Sequence, residues 1–350
     1  TRTERKKTES GYGRKPSSPL YSFFAVTIRF LAKLIVNASW KTDPRIYSLK
    51  GPVIVISNHP SYLDPFLVGS VLYPMKVNFL AADNYFRNPL SRFLLRKVGA
   101  IPKVQFRADP KAMKAMIKVI KRGGTLGIFP EGTRSTHGTL MPIEETFGRF
   151  IKKMGAHVVS ARISGAYLTW PRWSQSGMRK GRIFVEAEPV LSSDDIADMT
   201  IEEITQAITR ALEFNDYALQ EKTPAIYRSK APAKGLHNIL HWCPRCDRMW
   251  VMDSGTHELF CTSCGNKAVM DDHGFLKPYD ESCIIFTTPL EWNTWQFDKL
   301  KPFVLSPDFA AEDHADMQTS VKEAPFVPSG SGTIMLIHKQ IGRASCRERV

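Results

Sequence analysis

The feature that most constrains the fold is an alternation of short apolar runs and amphipathic segments that begins near residue 51. The apolar runs have the length and the β-branched residues of buried strands, and the amphipathic segments have the period of helices. Strands are predicted at residues 53–57, 77–81, 125–129, 158–163 and 183–187. Helices are predicted at residues 64–72, 89–98, 110–122 and 144–154, and a long one from a cap at residues 193–195 to about residue 220. This alternation predicts an α/β fold whose mostly parallel sheet is flanked by helices.

The N-terminal segment differs from the rest. Residues 1–19 are rich in Lys, Arg, Ser, Gly and Pro, and we expect a basic disordered tail there. Residues 20–36 are apolar apart from Arg29 and Lys33, which are four positions apart and share one helical face. The pattern favours an amphipathic helix, within a membrane-associating segment at residues 20–45, that lies in the bilayer interface rather than crossing it. The alternative is a helix packed on the protein's own core.

Charge is distributed unevenly along the 350 residues. The net charge of +14 divides into +8 for residues 1–50, +10 for residues 51–235 and −4 for residues 236–350. The hydrophobic content of 43% excludes a disordered or collagen-like chain. The basic first two thirds therefore suit an anionic partner such as membrane lipid, a phosphate group or a polynucleotide. The N-terminus lacks the pattern of a secretory signal, so we expect a cytosolic location.

A first polar motif, Asn58, His59 and Asp64, follows directly on the strand predicted at residues 53–57. On one continuous helix His59 and Asp64 would point about 140° apart, but Pro60 disfavours helical backbone at His59 and predicts a turn. The two side chains can then meet, with the carboxylate fixing the imidazole tautomer and the second ring nitrogen left as a base. Because no nucleophilic Ser or Cys motif accompanies the pair, the base would act on a substrate hydroxyl. The competing interpretation is a set of helix-capping residues.

A second motif, Phe-Pro-Glu-Gly-Thr-Arg-Ser at residues 129–135, also follows a predicted strand. Gly132 lets the backbone approach a ligand closely, Thr133 offers a hydroxyl, and Arg134 offers a planar guanidinium suited to a phosphate. Such a turn alone would be an ordinary loop. It indicates a binding site only in combination with the first motif.

Together, the two motifs resemble the hallmark blocks of the glycerolipid acyltransferases, the 1-acylglycerol-3-phosphate acyltransferase family, in order and separation. The resemblance covers about residues 20–215 and implies that family's fold. It also implies that His59 is the general base for the acceptor hydroxyl and that Asp64 orients it, with no cofactor required for catalysis. The residues that it assigns to substrate binding are Asn58, Glu131, Gly132, Thr133 and Arg134.

Two further blocks depart from the family pattern. The block that normally ends in an acceptor-binding Arg corresponds to residues 99–107, where Lys103 or Arg107 must take that place, and we choose Lys103. The late block at residues 158–162 lacks the family's usual Pro. The acceptor is therefore less firmly indicated than the reaction type.

The resemblance implies transfer of a fatty acyl group from acyl-CoA or acyl carrier protein to the free hydroxyl of lysophosphatidate, giving phosphatidate in phospholipid biosynthesis. We expect a peripheral or monotopic protein at the cytoplasmic face of an anionic membrane. The basic residues expected to assist docking are Arg2, Arg5, Lys6, Lys7, Arg14 and Lys15. The alternatives are another lysophospholipid or glycerol-phosphate acceptor, and a zinc-ribbon binding protein with an inactive acyltransferase domain.

Four cysteines, Cys243, Cys246, Cys261 and Cys264, form a CxxC-x14-CxxC pattern. Two such pairs can close a tetrahedral thiolate site, which predicts a zinc ribbon with structural Zn²⁺ and no open position for catalysis. Zinc ribbons often bind nucleic acid, but the charge of −4 over residues 236–350 makes that partner unlikely.

The predicted domain organisation follows from these segments. After the tail and the membrane-associating segment, we expect an acyltransferase domain at residues 46–221, a linker at 222–239 and the zinc ribbon at 240–272. Residues 273–350 are expected to form a small extra domain that is cut short in this chain.

Overall fold

A computed structural model describes residues 12–104, 108–319, 327–337 and 345–347. The chain divides into two compact units, Thr1–Leu290 and Glu291–Val350. Arg107, and Arg2, Arg5, Lys6 and Lys7 of the basic tail, lie outside the described residues.

The first unit is built on a seven-stranded sheet in the order β1-β7-β6-β2-β5-β3-β4. Its strands are β1 (Ala38–Thr42), β2 (Val53–Ile56), β3 (Val77–Ala82), β4 (Ile101–Lys103), β5 (Thr125–Ile128), β6 (His157–Ser164) and β7 (Ile183–Leu191). All neighbouring strands pair in parallel except β6 and β7, which are antiparallel. The prediction of a mostly parallel sheet is thereby confirmed.

Helices cover both faces of this sheet. They are α1 (Ser18–Val36), α2 (Asp64–Val71), α3 (Pro89–Lys97), α4 (Pro110–Lys121), α5 (Glu145–Met154), α6 (Ala166–Thr169), α7 (Ser193–Asp198), α8 (Ile201–Leu212) and α9 (Asp216–Lys222). Short 3-10 turns lie at Pro44–Ser48, Asp83–Phe86 and Leu236–Asn238.

Strand β2 shows how the sheet separates two cores. Val53 and Val55 pack in one cluster with Leu67 of α2. Ile54 and Ile56 point the other way, into a second cluster that includes Val119 of α4 and Ile204 of α8. All four β2 residues are buried, which is why this strand is a continuous apolar run instead of an alternating one.

The prediction of one long helix from residues 193–195 to about residue 220 is wrong, because the chain forms three helices there. Ser192 and Thr200 each close a capping box, which starts α7 and then α8. Asn215 caps α9. Three separate N-caps mark three helix starts, and the amphipathic pattern alone does not separate them.

The first helix presents two different faces. Tyr21, Ala25 and Val36 are buried, whereas Phe23, Phe30 and Leu34 are more than 60% exposed. Arg29, on the helical face that it shares with Lys33, is exposed, and its guanidinium donates to the Ser70 carbonyl and lies 5.0 Å from the Trp40 ring. By length and composition alone Ser18–Val36 could also cross a membrane, and the interfacial position of this helix stays a prediction.

A second, four-stranded antiparallel sheet lies in the segment that contains the four cysteines, of which Cys261 is in a strand and the other three are in turns and loops. Its strands are β8 (Met252–Ser254), β9 (Glu258–Cys261), β10 (Lys267–Met270) and β11 (Leu276–Pro278). We call residues 240–278 the cysteine module. The segment at 222–239 that we expected to be a linker contains buried residues, among them Tyr227, Ala233 and Leu236.

The second unit begins near the start of a helix, α10 (Pro289–Leu305). It contains an antiparallel sheet of three strands, β12 (Ala310–Thr319), β13 (Val327–Ile337) and β14 (Ser345–Arg347).

Candidate active site

His59 and Asp64 meet at the carboxyl end of β2. His59 lies in the turn after the strand, Asp64 is the first residue of α2, and Nδ1 of His59 is 2.7 Å from Oδ2 of Asp64. Asp64 is fully buried and also accepts from the backbone N–H and the hydroxyl of Ser61. The imidazole stacks on Phe129 with ring centroids 4.3 Å apart. These contacts fix the orientation of the ring.

The second feature of the pair is the other imidazole nitrogen of His59, Nε2. Among the described residues, Nε2 of His59 has no hydrogen-bond partner, and the side chain is 21% exposed. A base needs one nitrogen held by an orienting acid and the other directed to the substrate. The pair has this arrangement.

Glu131 ties the second motif to the first. One carboxylate oxygen accepts from the His59 backbone N–H at 2.5 Å, and the other accepts from the Met141 N–H at 2.8 Å. The backbone N–H of Ser135 donates to the His59 carbonyl at 2.8 Å. Burial raises the pKa of Glu131 to about 7, and the charge of Asp64 contributes to this rise to a smaller extent. With both oxygens on backbone groups, Glu131 holds the turn that carries His59.

The Asn58 side chain is also hydrogen-bonded to the backbone. Its side-chain amide is fully buried, donates to the Ile163 carbonyl at 2.7 Å and accepts from the Ile163 N–H at 2.8 Å. This pairing extends the contact between β2 and β6 past the end of β2. Its amide faces the backbone of β6, although the sequence resemblance suggested a substrate contact for it.

Arg134 lies beside an aromatic pair. Its guanidinium carbon is 3.5 Å from the centroid of the Tyr62 ring, and that ring lies 5.0 Å from the ring of Trp170. Nη1 of Arg134 is buried and lacks a hydrogen-bond partner within the part of the chain that the structure describes. Leaving a buried donor unsatisfied costs about 1–3 kcal/mol, which an anionic ligand oxygen would recover. This corner therefore suits an anion.

Thr133 and Gly132 complete the turn. The Thr133 hydroxyl accepts from Nη1 of Arg172 at 2.7 Å, so a second guanidinium reaches the same motif. Gly132 has φ +68°, in the left-handed region, and is exposed, with no atom within 4 Å of where a Cβ would lie. The backbone conformation rather than crowding accounts for glycine at this position.

Lys103 ends β4, at the same carboxyl edge of the sheet as the two motifs. Its ammonium donates to the Val104 carbonyl at 2.6 Å. Asp109 accepts from the Val104 N–H at 2.9 Å and from the first turn of α4, so Val104 is tied to the start of that helix.

Comparison with known proteins agrees with this geometry. Residues 37–164 match the family model described as Acyltransferase, a range that contains both motifs. This part of the chain is therefore similar to the Acyltransferase family.

Curated proteins that are similar to this part of the chain share one name. A chloroplastic 1-acyl-sn-glycerol-3-phosphate acyltransferase of Brassica napus is 27% identical over 195 residues, which cover 52% of this chain and 55% of the relative. The enzyme of that name from Bacillus subtilis is 25% identical over 203 residues, covering 58% of this chain and 98% of the relative. The chain thus spans about half the length of the plant relative.

A solved structure is also similar to the acyltransferase domain. It is a 1-acyl-sn-glycerophosphate acyltransferase from Thermotoga maritima, with 20% identity, a TM-score of 0.46, and coverage of 58% of this chain and 78% of that chain.

Sequence reasoning missed Tyr62, Trp170 and Arg172. Tyr62 lies inside the first motif, at a position that the motif leaves open. Trp170 and Arg172 belong to a Trp-Pro-Arg-Trp run that follows β6 and α6. Two tryptophans and an arginine in four residues are a signal of a binding surface, but the pattern does not say which strand end they face.

The cysteine module can hold a metal ion. The ligand atoms of Cys243, Cys246, Cys261 and Cys264 lie within 4.8 Å of one another. The Sγ atoms of Cys243 and Cys264 are 3.7 Å apart, as are those of Cys246 and Cys261. Tetrahedral Zn²⁺ with bonds of about 2.3 Å separates its sulfur ligands by about 3.8 Å, so the four residues fit zinc.

Proposed function

We propose that the protein transfers a fatty acyl group from an acyl thioester to the free hydroxyl of lysophosphatidate, giving phosphatidate. The observation that carries this proposal is the His59–Asp64 pair, which is hydrogen-bonded through the His59 backbone to the motif that contains Arg134, in a segment similar to the Acyltransferase family. The name shared by the relatives supports lysophosphatidate as the acceptor.

In the proposed reaction His59 acts as the base. Its Nε2 takes the proton from the acceptor hydroxyl while Asp64 stabilises the imidazolium through Nδ1. The hydroxyl oxygen attacks the thioester carbonyl carbon, and the resulting tetrahedral intermediate collapses with cleavage of the C–S bond. The proton on Nε2 passes to the departing thiolate, which leaves an ester and a free thiol. The donor thiol belongs to coenzyme A or to acyl carrier protein.

The acceptor phosphate would occupy the corner beside Tyr62. Arg134 supplies the buried N–H that lacks a partner, and Thr133 and Arg172 lie at the same turn. Lys103 is proposed as a further cation for the phosphate from the neighbouring β4. Asn58 and Glu131 would act through the backbone groups that they bind, and Gly132 through the left-handed turn that lets the backbone approach the ligand.

We further propose that the protein works at the cytoplasmic face of a membrane. The exposed side chains of Phe23, Phe30 and Leu34 on α1 support insertion of that helix into lipid. Both proposed substrates carry acyl chains, so docking would bring the site close to the bilayer that holds them.

The test is acyl transfer from a radiolabelled acyl thioester to lysophosphatidate in detergent micelles. His59→Ala should lower kcat/KM by about 10²- to 10⁴-fold because the general base is lost. His257→Ala is the matched control, since this histidine is exposed in the cysteine module.

Other lysophospholipids are assayed in parallel as acceptors. Transfer to a different acceptor would revise the substrate and keep the mechanism. Activity of His59→Ala close to that of the unmodified protein would overturn the assignment of the base.

A further inference from the structure

One side of the proposed site is formed by residues 165–173, which we call the wall segment. It follows β6 directly and includes α6. Its Trp170 ring lies 5.0 Å from the Tyr62 ring, and its Arg172 donates to Thr133. The position of the wall segment therefore decides where Arg172 and Trp170 sit relative to the acceptor corner.

The wall segment is held from behind by α9. The carboxylate of Asp216 is fully buried and accepts from the backbone N–H groups of Gly165, at 2.8 Å, and Tyr167, at 3.1 Å. The next residue, Tyr217, packs edge-on against Tyr167 with ring centroids 6.0 Å apart. These contacts anchor the start of the wall segment on one short helix.

Helix α9 also touches the cysteine module. The Tyr217 ring lies 6.2 Å from the Phe275 ring, and the Gln220 amide donates to the His273 carbonyl at 3.0 Å. The backbone N–H of Tyr227, in the chain that leaves α9, donates to the Asp272 carbonyl at 2.7 Å. The module residues concerned all belong to the turn between β10 and β11.

A second route joins the end of the wall segment to the same module. The Arg179 guanidinium is buried over the Trp173 ring and donates to the Pro232 carbonyl at 2.6 Å, while the Arg179 N–H donates to the Thr169 carbonyl. The adjacent Ala233 N–H donates to the Thr256 carbonyl of the module at 3.1 Å. Both ends of the wall segment are thus connected to the cysteine module.

The fold of the module in turn depends on its cysteines. Strand β9 ends at Cys261 and pairs with β10, which leads into the turn that contacts α9. Small zinc-binding folds of this kind are unfolded without metal. Loss of the ion would release the β10–β11 turn from α9.

We propose that the zinc-loaded cysteine module is a positioning element of the acyltransferase site. Through α9 and Arg179 it holds the wall segment so that Trp170 and Arg172 remain against Tyr62 and Thr133. The effect on acyl transfer rests on the proposed function, whereas the effect on the wall segment does not.

The experiment compares Phe275→Ala and Phe275→Leu with the unmodified full chain. Three quantities are measured: bound zinc, amide hydrogen exchange in residues 165–173, and the KM values for lysophosphatidate and for the acyl donor. Cys264→Ser removes one thiolate of the metal site, and Cys283→Ser is its control because Cys283 lies outside the four-thiol cluster.

Phe275→Ala should retain zinc, yet speed exchange in the wall segment and raise the KM for lysophosphatidate, each by about tenfold. The KM for the acyl donor should change less than twofold. Phe275→Leu should bring the exchange rate and the KM for lysophosphatidate most of the way back to the values of the unmodified protein. Cys264→Ser should lose zinc and show the same changes to a greater degree, unlike Cys283→Ser.

Unchanged exchange at residues 165–173 in both Phe275→Ala and zinc-depleted Cys264→Ser would overturn the proposal. If the unmodified protein transfers no acyl group, the proposed function fails, and hydrogen exchange alone still decides whether the module positions the wall segment.

Discussion

The sheet domain and the cysteine module achieve order by different means. The sheet domain buries an apolar cluster on each face of seven strands, and its site residues are attached to strand ends by hydrogen bonds to the backbone. The module has strands of only three or four residues and few buried apolar side chains, such as Leu259 and Ala268. Folds this small usually need a metal or disulfides. The stability of the sheet domain is therefore spread over two apolar clusters, whereas that of the cysteine module depends mainly on its metal site.

The substitution with the greatest consequence removes a metal ligand from the cysteine module. Cys246→Ser should abolish tight zinc binding and unfold residues 252–278, because structural Zn²⁺ supplies about 10–16 kcal/mol in finger peptides. Amide exchange should rise throughout the module while β2, β5 and β6 remain protected. Zinc content and exchange are measured together, with Cys283→Ser as the control. Loss of protection in β2 would show that the two regions unfold as one.

A substitution in the apolar core of the sheet domain should have a smaller effect on stability. Leu126, in the centre of β5, is fully buried, and Leu126→Ala should lower the free energy of unfolding by about 2–5 kcal/mol through lost burial and a residual cavity. The zinc content should not change. Chemical denaturation measures the loss.

Leu90→Ala is the control for that substitution, since Leu90 is 68% exposed and should alter stability by less than about 0.5 kcal/mol. Release of zinc from Leu126→Ala would contradict the separation of the two regions.

A third prediction, which depends on pH, concerns the contact between the two motifs. Burial raises the pKa of Glu131 from 4.5 to about 7, so the folded state binds more protons than the unfolded state between these values. Its contribution to stability should therefore decrease as pH rises from about 4.5 to 7, by about 3 kcal/mol in total. Glu131→Gln removes the titration and should flatten that part of the curve.

The measurement is the free energy of unfolding at several pH values for both proteins. Because Gln offers one acceptor oxygen instead of two, a constant offset is expected as well. Identical pH slopes for the two proteins would contradict the assignment of a raised pKa to Glu131.

Much of the fold could be predicted from the sequence because it rests on local periodicity. Strands β2, β3, β5, β6 and β7 were each predicted to within a few residues of where they occur. Strands β1 and β4 were missed, since β1 has an alternating burial pattern over only five residues and β4 has three residues. The three helices after β7 were merged because their shared apolar period continues across the caps at Ser192, Thr200 and Asn215.

The alternation of strands and helices, the two motifs and the four-cysteine pattern could be predicted, because each depends on residues close together in the chain. The contacts of Asn58 with Ile163, of Arg29 with Trp40 and of Arg172 with Thr133 became known from the folded structure. Such partners are separated by many residues, and the order of strands in the sheet determines which of them meet. The connection from the cysteine module to the wall segment is of the same kind, since it depends on packing between elements that no local pattern records.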